Sequence, residues 1–297
     1  MDDAGHFPVL RKEVTELLVV EGTRTLLDCT VGLGGHAESL LEAAGEGAVL
    51  IGIDLDESNL LKTKERLARF GGRVRLFAAN FADVDDVLAE AGVERVDAIL
   101  ADLGVASTQL DDPSRGFSFQ ADGPLDMRMG REGPTAAELV NTLGEKELAD
   151  LIRRLGEDRF SRRIARAIVR GRREGPIDTT VRLAGIVMRA YPPARGRWRI
   201  HPATRTFQAL RIRVNRELEN LSALLERVPG LLGVGGRAAV ISFHSLEDRL
   251  VKRSFASAVE SGSFRSLTPK PLRPGAAETD RNPPSRSAKL RVMERIR

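Results

Sequence analysis

The chain has 297 residues, 42% hydrophobic and 30% charged, a composition typical of a soluble globular protein with a large core. No apolar run approaches the roughly 20 residues of a membrane helix, and the first residues lack the basic and apolar regions of a signal peptide. We therefore expect a cytoplasmic protein. The single cysteine, Cys29, excludes an internal disulfide and a cysteine-rich metal site and is expected to be a buried thiol. The four scattered histidines form no evident metal-ligand pattern, so no metal is expected.

Charge is distributed unevenly along the chain, although its net value is only +4. Residues 1–150 contain 14 of the 46 Lys and Arg and 29 of the 42 Asp and Glu, which leaves 32 basic and 13 acidic residues for 151–297. An acidic half suits a small or cationic ligand, whereas a basic half suits a polyanion such as nucleic acid. The alternative is that these charges only form solvated helix faces.

Strand and helix patterns alternate over the first hundred residues. Four short apolar runs, each ending at or near a polar residue, are typical of buried parallel strands: 25–30, 48–54, 74–80 and 96–102. Helical patterns at 36–44, 56–70 and 83–91 lie between them and are long enough for crossovers. The pattern predicts an open, doubly wound α/β sheet, in which ligands bind beyond the carboxyl ends of the strands.

The alternation stops after the fourth strand. Residues 106–205 contain a loop and then helical patterns near 135–141, 145–155, 158–174 and 179–191, without a convincing strand. Residues 201–228 are expected to form one long helix, 236–243 a further strand, 268–285 a surface loop, and 289–296 an antiparallel edge strand. We therefore predict a sheet domain formed by 1–105 and 206–297, with an inserted helical domain at 106–205.

A glycine-rich turn follows the first strand in "DCTVGLGGH" (28–36). Glycines 32, 34 and 35 allow positive φ and close approach of a ligand. Asp54 ends the second strand 22 residues after Gly32, where a carboxylate can accept both hydroxyls of a ribose. The pair predicts a nucleotide site without identifying the nucleotide. Gly32, Gly34 and Ala37 also satisfy the G-x-G-x-x-G/A fingerprint of nicotinamide dinucleotides, and a turn required only for packing is the remaining alternative.

Two features favour S-adenosylmethionine over a dinucleotide. The third and fourth strands end in "AANF" and "ADLG", which place Phe81 near an adenine site and Asp102 at the crevice. Only one clear parallel strand remains after the insertion, so the second βαβ set that a dinucleotide requires is missing from the pattern. A terminal antiparallel strand also fits the seven-stranded sheet of S-adenosylmethionine methyltransferases.

Longer motifs resemble one family along nearly the whole chain and in the same order. The chain resembles the bacterial small-subunit ribosomal RNA cytosine N4-methyltransferase H family in "DCTVGLGGH" (28–36), "DLGVASTQLDD" (102–112), "RGFSFQADGPLDMRM" (115–129), "HPATRTFQALRI" (201–212), "VNREL" (214–218), "SFHSLEDR" (242–249) and "NPPSRSAKLRVMERI" (282–296).

The resemblance implies a class I methyltransferase sheet with an inserted domain for substrate recognition. It implies transfer of a methyl group from S-adenosylmethionine to N4 of a cytidine in the decoding region of small-subunit rRNA, as naked rRNA or as the assembled subunit. The cofactor contacts carried over by position are Gly34, Gly35, His36, Asp54, Phe81, Asp102 and Gln109. Family members usually have glycine in place of Cys29 and a second serine in place of Ala106, which leaves Ser107 as the only hydroxyl of that pair.

Several of these side chains can also be interpreted from the residues alone. His36 could bind a carboxylate at the helix start or face the solvent, and Phe81 alone would more often be core packing. Either Asp102 or Gln109 could accept a hydrogen bond from the amine. Many amino-methyltransferases that act on nucleobases have a polar residue, two prolines and an aromatic residue after the fourth strand. This chain has "DLGVASTQ" there instead, so no catalytic base is assigned.

The basic half contains one helical stripe in "DRFSRRIARAIVRGRRE" (158–174). Six arginines recur there at intervals of three and four residues, while Phe160, Ile164 and Ile168 fall on another face. Such a stripe favours phosphate binding. Trp198, between Arg197 and Arg199, could stack on an unpaired base or pack within the inserted domain.

Three classes of function remain open at this point. The favoured one is an RNA methyltransferase, the second is a nicotinamide-dependent oxidoreductase, and the third is a noncatalytic RNA-binding assembly factor.

Overall fold

The computed structural model describes residues 8–192 and 200–297. Two compact units divide the chain: one joins the residues up to Gly104 with Leu218–Arg297, and the other is Val105–Glu217. Trp198, Arg197 and Arg199 lie outside the described residues. None of the helices in the described ranges is long and apolar enough to span a membrane.

The first unit contains a seven-stranded sheet in the order β3-β2-β1-β4-β5-β7-β6. Strands β1 to β5 are parallel, while β7 is antiparallel to both of its neighbours. The strands are β1 (Thr25–Asp28), β2 (Val49–Asp54), β3 (Val74–Ala78), β4 (Val96–Asp102), β5 (Leu232–Ser242), β6 (Phe264–Ser266) and β7 (Lys289–Arg295).

Helices flank the sheet and form most of the second unit. In chain order they are α1 (Arg11–Leu18), α2 (Gly35–Ala44), α3 (Glu57–Arg66), α4 (Val84–Ala91), α5 (Ser107–Asp111), α6 (Ala136–Thr142), α7 (Glu145–Leu155), α8 (Ser161–Gly171), α9 (Thr180–Ala190), α10 (Ala203–Asn215), α11 (Glu217–Leu231), α12 (Ser245–Glu260) and α13 (Ala276–Arg281).

Both faces of the sheet are covered by apolar side chains. Because successive residues of a strand point to opposite faces, Leu27 packs in the core that includes α4, α11 and α12, whereas Leu26 packs in the core that includes α1 and α2. The neighbouring strand β2 repeats this alternation at Leu50 and Ile51. The near-continuous apolar runs of these strands follow from burial on two sides.

The second unit has its own helical core. Helix α7 packs against α8 and α10, and α8 packs against α9. Fully buried side chains at helical spacing, such as Leu148 with Ile152 and Ile164 with Ile168, form the interior. The unit reaches Glu217, beyond the predicted end at 205, because α10 packs against α7 and α9.

The prediction of one helix over 201–228 is wrong. The chain forms α10 and α11, separated at Arg216, which has the left-handed angles φ 51° and ψ 37°. Asn215, the last residue of α10, donates its side-chain amide to the carbonyl of Met127 at 2.7 Å and accepts the N–H of Met129 at 2.8 Å. These bonds attach the helix end to the loop 115–129, a tertiary contact that local periodicity does not reveal.

Residues 289–296 are predicted to form an antiparallel strand at the edge of the sheet; the antiparallel direction is correct, and the edge position is wrong. Strand β7 is antiparallel to β5, as expected, but β6 pairs with its other side and forms the edge of the sheet. Strand β6 has only three residues, which are too few to show an alternating pattern, so periodicity could not predict it. The predicted surface loop 268–285 also contains the short helix α13.

The loop 115–129 is held tightly within the second unit. A Cβ atom at Gly116 would overlap the carbonyl of Pro124, and one at Gly123 would overlap the carbonyl of Pro113. Arg115 donates to the carbonyls of residues 128 and 129 at 3.0 and 2.9 Å. Close backbone contacts and side-chain bonds therefore fix this loop.

Gly123→Ala is expected to lower the free energy of unfolding of the full chain by about 2–3 kcal/mol, because the added methyl group must displace backbone. Gly185→Ala, within α9, is the matched control, since its Cβ would be 3.5 Å from the nearest atom, the side chain of Arg189. That control should be neutral or stabilising by about 0.5–1 kcal/mol. Urea denaturation measures both, and equal effects would contradict this description of the loop.

Candidate functional site

The glycine-rich turn connects β1 to α2. Gly32 and Gly34 have positive φ angles of 52° and 77°, and the N–H of Gly34 donates to the carbonyl of Val31 at 2.8 Å. Neighbouring segments approach the turn closely. A Cβ at Gly34 would lie 3.0 Å from the Thr63 methyl, and one at Gly35 would lie 2.5 Å from Pro8. Glycine is thus required by backbone angle at 32 and 34 and by space at 35.

Asp54 binds this turn from the end of β2. Its Oδ2 accepts the N–H of Gly32 at 2.9 Å, and its Oδ1 accepts the N–H of Asp56 at 2.7 Å. Burial raises the pKa of Asp54 to about 6, against the opposing effect of these hydrogen bonds. The group is therefore mostly ionised at neutral pH. It also accepts a hydrogen bond from the Asn59 side chain, and an ionised carboxylate, with about four lone-pair sites, still has capacity for a ligand hydroxyl.

His36 is the second residue of α2 and is only 7% exposed. The alternative in which it faces the solvent is therefore wrong. Its Nε2 lies 3.5 Å from Oδ2 of Asp102, which ends β4. The N–H of Asp102 donates to the Thr30 hydroxyl at 2.7 Å, so the ends of β1 and β4 are joined beside the imidazole.

Asp28 is a candidate site residue that the sequence analysis missed. It ends β1, is 1% exposed, and accepts the N–H of Thr30 at 3.1 Å through Oδ1. Burial raises its pKa to about 7, although the nearby charge of His36 opposes that increase. The signal available was an acid inside the apolar run "LLDCT", since carboxylates are almost never fully buried without a partner.

Buried polar atoms without a hydrogen-bond partner cluster at these strand ends. In the part of the chain that the structure describes, four of the seven such atoms are Oδ2 of Asp28, Oδ1 of Asp102 and both ring nitrogens of His36. An unsatisfied buried polar group costs about 1–3 kcal/mol, so these four atoms mark a polar cluster whose partners a ligand or ordered water can supply. Two carboxyl groups among them fit a cationic group.

Phe81 and Gln109 occupy different units. Phe81 follows β3 and is partly buried against the core of the first unit, so the expected packing role is real. Gln109 is buried in the second unit, where its Oε1 accepts the N–H of Ala106 at 3.3 Å at the start of α5. Core packing therefore explains part of the position of Phe81, and a hydrogen bond at the start of a helix explains part of that of Gln109.

Two other groups near the strand ends have structural explanations. Cys29 is a buried free thiol, as expected, and burial raises its pKa. The motif "SFHSLEDR" begins α12, where Oε2 of Glu247 accepts the N–H groups of Phe243 and His244 at 2.8 and 3.2 Å. Nδ1 of His244 accepts the N–H of Glu247 at 3.3 Å in return. This reciprocal arrangement caps the helix.

The sheet order, the antiparallel β7, the glycine turn after β1 and the carboxylate ending β2 define the class I methyltransferase fold. This confirms the predicted fold class. In the described ranges, only β5 continues the parallel part beyond β4, so the second βαβ set expected for a nicotinamide dinucleotide is not found there.

The chain belongs to the MraW methylase family, whose sequence profile matches residues 3–296. Three relatives are named ribosomal RNA small subunit methyltransferase H. That of Citrifermentans bemidjiense is 47% identical over 100% of both chains. That of Solidesulfovibrio magneticus is 51% identical over 98% of this chain and 95% of its own. That of Acidobacterium capsulatum is 49% identical over 99% and 100%.

The pKa of Asp28 predicts a pH-dependent effect of Asp28→Asn on stability. The pKa of Asp28 is about 7 in the folded chain and near its ordinary value of 3.8 in the unfolded chain. The folded chain therefore binds this proton more tightly, so ionisation of Asp28 lowers the stability of the fold progressively as pH rises towards 7. The asparagine side chain of the variant does not ionise, so the variant does not lose this stability. The variant should therefore gain stability relative to the original chain between pH 5 and pH 8, by on the order of 2 kcal/mol.

Urea denaturation at both pH values measures this gain. Asp86→Asn, on the exposed surface of α4, is the control and should leave the pH dependence unchanged. A gain that is equal at pH 5 and pH 8 would show that titration of Asp28 does not contribute.

Proposed function

We propose that this protein is a cytoplasmic S-adenosylmethionine-dependent methyltransferase that modifies N4 of a cytidine in the decoding region of small-subunit rRNA. The observation that carries the proposal is the 47–51% identity, over nearly the whole chain, with proteins named ribosomal RNA small subunit methyltransferase H. The choice of N4 and of the decoding region rests on the family resemblance of the sequence motifs.

The cofactor would contact Gly34, Gly35 and His36 with its amino-acid end and Asp54 with its ribose. Phe81 would lie near the adenine, and Asp102 and Gln109 would complete the contacts. Support comes from the unpartnered atoms of Asp28, His36 and Asp102 and from the glycine turn. When bound, S-adenosylmethionine supplies a methyl group on a positively charged sulfur. The acidic strand ends fit that charge and the cofactor's ammonium group.

Positioning of the target amine is the main task of the protein in this proposal. The cytosine N4 is a weak nucleophile, because its lone pair is delocalised into the ring. The unpartnered Oδ1 of Asp102 is available to accept an N–H from the amine or from the cofactor's ammonium group. Holding two reactants in line supplies much of the acceleration of a group transfer.

The second unit carries a surface suited to RNA. Arginines 159, 162, 163, 166, 170 and 173 are exposed along and beside α8, while Ile164 and Ile168 on its other face are fully buried. Arg166 lies 3.5 Å from Glu145, an exposed pair that phosphate can displace at little cost. Such a stripe binds the RNA backbone with an affinity that decreases with salt.

Incubation of the purified chain with methyl-labelled S-adenosylmethionine and small ribosomal subunits that lack the modification is expected to label the rRNA. Mass spectrometry should locate N4-methylcytidine in the decoding region. Naked rRNA, tested in parallel, identifies the form of the substrate.

Three outcomes would contradict the proposal. Absence of label, when a related enzyme labels the same particles, excludes this activity. Cofactor binding without turnover on any ribosomal particle indicates a noncatalytic assembly factor. Binding of NAD(H) but not S-adenosylmethionine in titration calorimetry indicates an oxidoreductase.

Cofactor binding and RNA binding are expected to separate by mutation. Asp54→Ala should weaken S-adenosylmethionine binding about tenfold or more, because a charged acceptor is lost, and should leave RNA affinity nearly unchanged. Arg163→Glu with Arg166→Glu should do the reverse and reduce the salt slope of RNA binding by about 1.4 to 1.8.

A double reversal elsewhere, Lys62→Glu with Lys64→Glu on the exposed face of α3, is the charge-matched control and should affect neither assay. Calorimetry and RNA filter binding measure the two affinities. Equal impairment of both affinities in both test variants would refute the separation.

A further inference from the structure

Two side chains of α3 donate hydrogen bonds to backbone carbonyls of the glycine-rich turn. The hydroxyl of Thr63 donates to the carbonyl of Gly32 at 2.5 Å. Nη1 of Arg66 donates to the carbonyl of Leu33 at 2.9 Å. Residues three apart lie on the same face of a helix, so one face of α3 holds two successive peptide groups of the turn.

These bonds determine where the opposite ends of the two peptide groups point. In a planar trans peptide the N–H is directed away from the carbonyl of the preceding residue. A Gly32 carbonyl held by Thr63 therefore directs the N–H of Leu33 away from α3. A Leu33 carbonyl held by Arg66 similarly fixes the N–H of Gly34, which donates to Val31 at 2.8 Å.

The Thr63 hydroxyl is not needed to complete α3. A threonine inside a helix usually bonds to the carbonyl one turn before it, whereas this side chain bonds to a residue 31 positions away in sequence. Thr63 is 0% exposed, and its methyl lies 3.0 Å from the position that a Cβ at Gly34 would occupy. The methyl group of Thr63 thus packs against the turn at Gly34, and its hydroxyl donates a hydrogen bond to the turn at Gly32.

Arg66 connects the same turn to α2. Its Nε lies 3.8 Å from a carboxylate oxygen of Glu38, and its side chain is 24% exposed. Glu38 also accepts from Arg69 at 2.8 Å. The guanidinium therefore spans the turn and the first turn of the helix that carries His36.

The segment from β2 to α3 holds Gly32 from both sides. Asp54, at the end of β2, accepts the N–H of Gly32 at 2.9 Å, and Thr63 donates to its carbonyl. Asp56 caps α3 by accepting the N–H of Ser58 at 3.0 Å. The ribose-binding carboxylate and the two α3 donors consequently belong to one continuous structural element.

We propose that Thr63 and Arg66 are positioning residues, which set the affinity for the cofactor by orienting the peptide groups of the glycine-rich turn. This inference rests on the proposed function, in which S-adenosylmethionine binds at that turn. Neither side chain needs to touch the reacting atoms, so the affinity should change and the chemical step should not.

Thr63→Val keeps the shape of the side chain and removes the donor, whereas Thr63→Ser keeps the donor and removes the methyl. The valine variant is expected to raise both Kd and KM for S-adenosylmethionine about tenfold, with kcat at saturation within about twofold of the original chain. The serine variant should stay within about threefold in Kd. Calorimetry, steady-state methyl transfer and the melting temperature are measured on the full chain.

Arg66→Met and Arg66→Lys form an independent second pair. The methionine variant loses the donor to Leu33 and should raise Kd severalfold, and the lysine variant should recover part of the loss. Lys64→Met, on the exposed surface of α3, is the control and should bind as the original chain does. If Thr63→Val fails to fold, this pair decides the question.

Three results would overturn the inference. Unchanged Kd in Thr63→Val and Arg66→Met shows that the turn does not depend on these donors. Equal weakening in Thr63→Val and Thr63→Ser shows that packing is responsible. A lower melting temperature with unchanged Kd shows a purely structural role. Failure of the original chain to bind S-adenosylmethionine would instead refute the proposed function.

Discussion

The hydrogen bond from Gly32 to Asp54 is the contact on which the rest of the site depends. It joins the turn after β1 to the end of β2, so the position of the carboxylate and the path of the turn are determined together. Parallel strands make such a contact possible, since their carboxyl ends meet at one edge of the sheet. The side chains of α3 extend the same constraint to the carbonyls of the turn.

Burial of acidic groups gives this edge its chemical character. Asp28 and Asp54 both lose hydration, and their pKa values are raised to about 7 and 6. Asp28 and Asp102 lie near the His36 imidazole, whose Nε2 is 3.5 Å from Oδ2 of Asp102. Neither ring nitrogen makes a hydrogen bond among the described residues. A site of this kind is costly to the folded chain alone and becomes favourable when a ligand supplies positive charge and N–H donors.

Hydrophobic patterns and residue spacing in the sequence predict those elements that depend mainly on neighbouring residues. The apolar runs identified β1 to β4 because both faces of the sheet are buried. The spacing of Gly32 and Asp54 paired two residues that the structure brings into contact. Asp28 was missed because a buried acid ending a short strand looks like part of an apolar run. The break after Asn215 and the pairing of β6 depend on contacts with distant residues, which periodicity cannot reveal.

The two faces of helix α8 have different roles: one packs in the core of the second unit, and the other forms part of its surface. Ile164 and Ile168 hold it in the core, while its arginines project into solvent, so exchanging an arginine opens no cavity. Surface substitutions away from such features usually change stability by about 0.5 kcal/mol or less. Substitutions can therefore accumulate on this face while the helical scaffold persists, so the surface charge of the unit can diverge among descendants faster than its architecture.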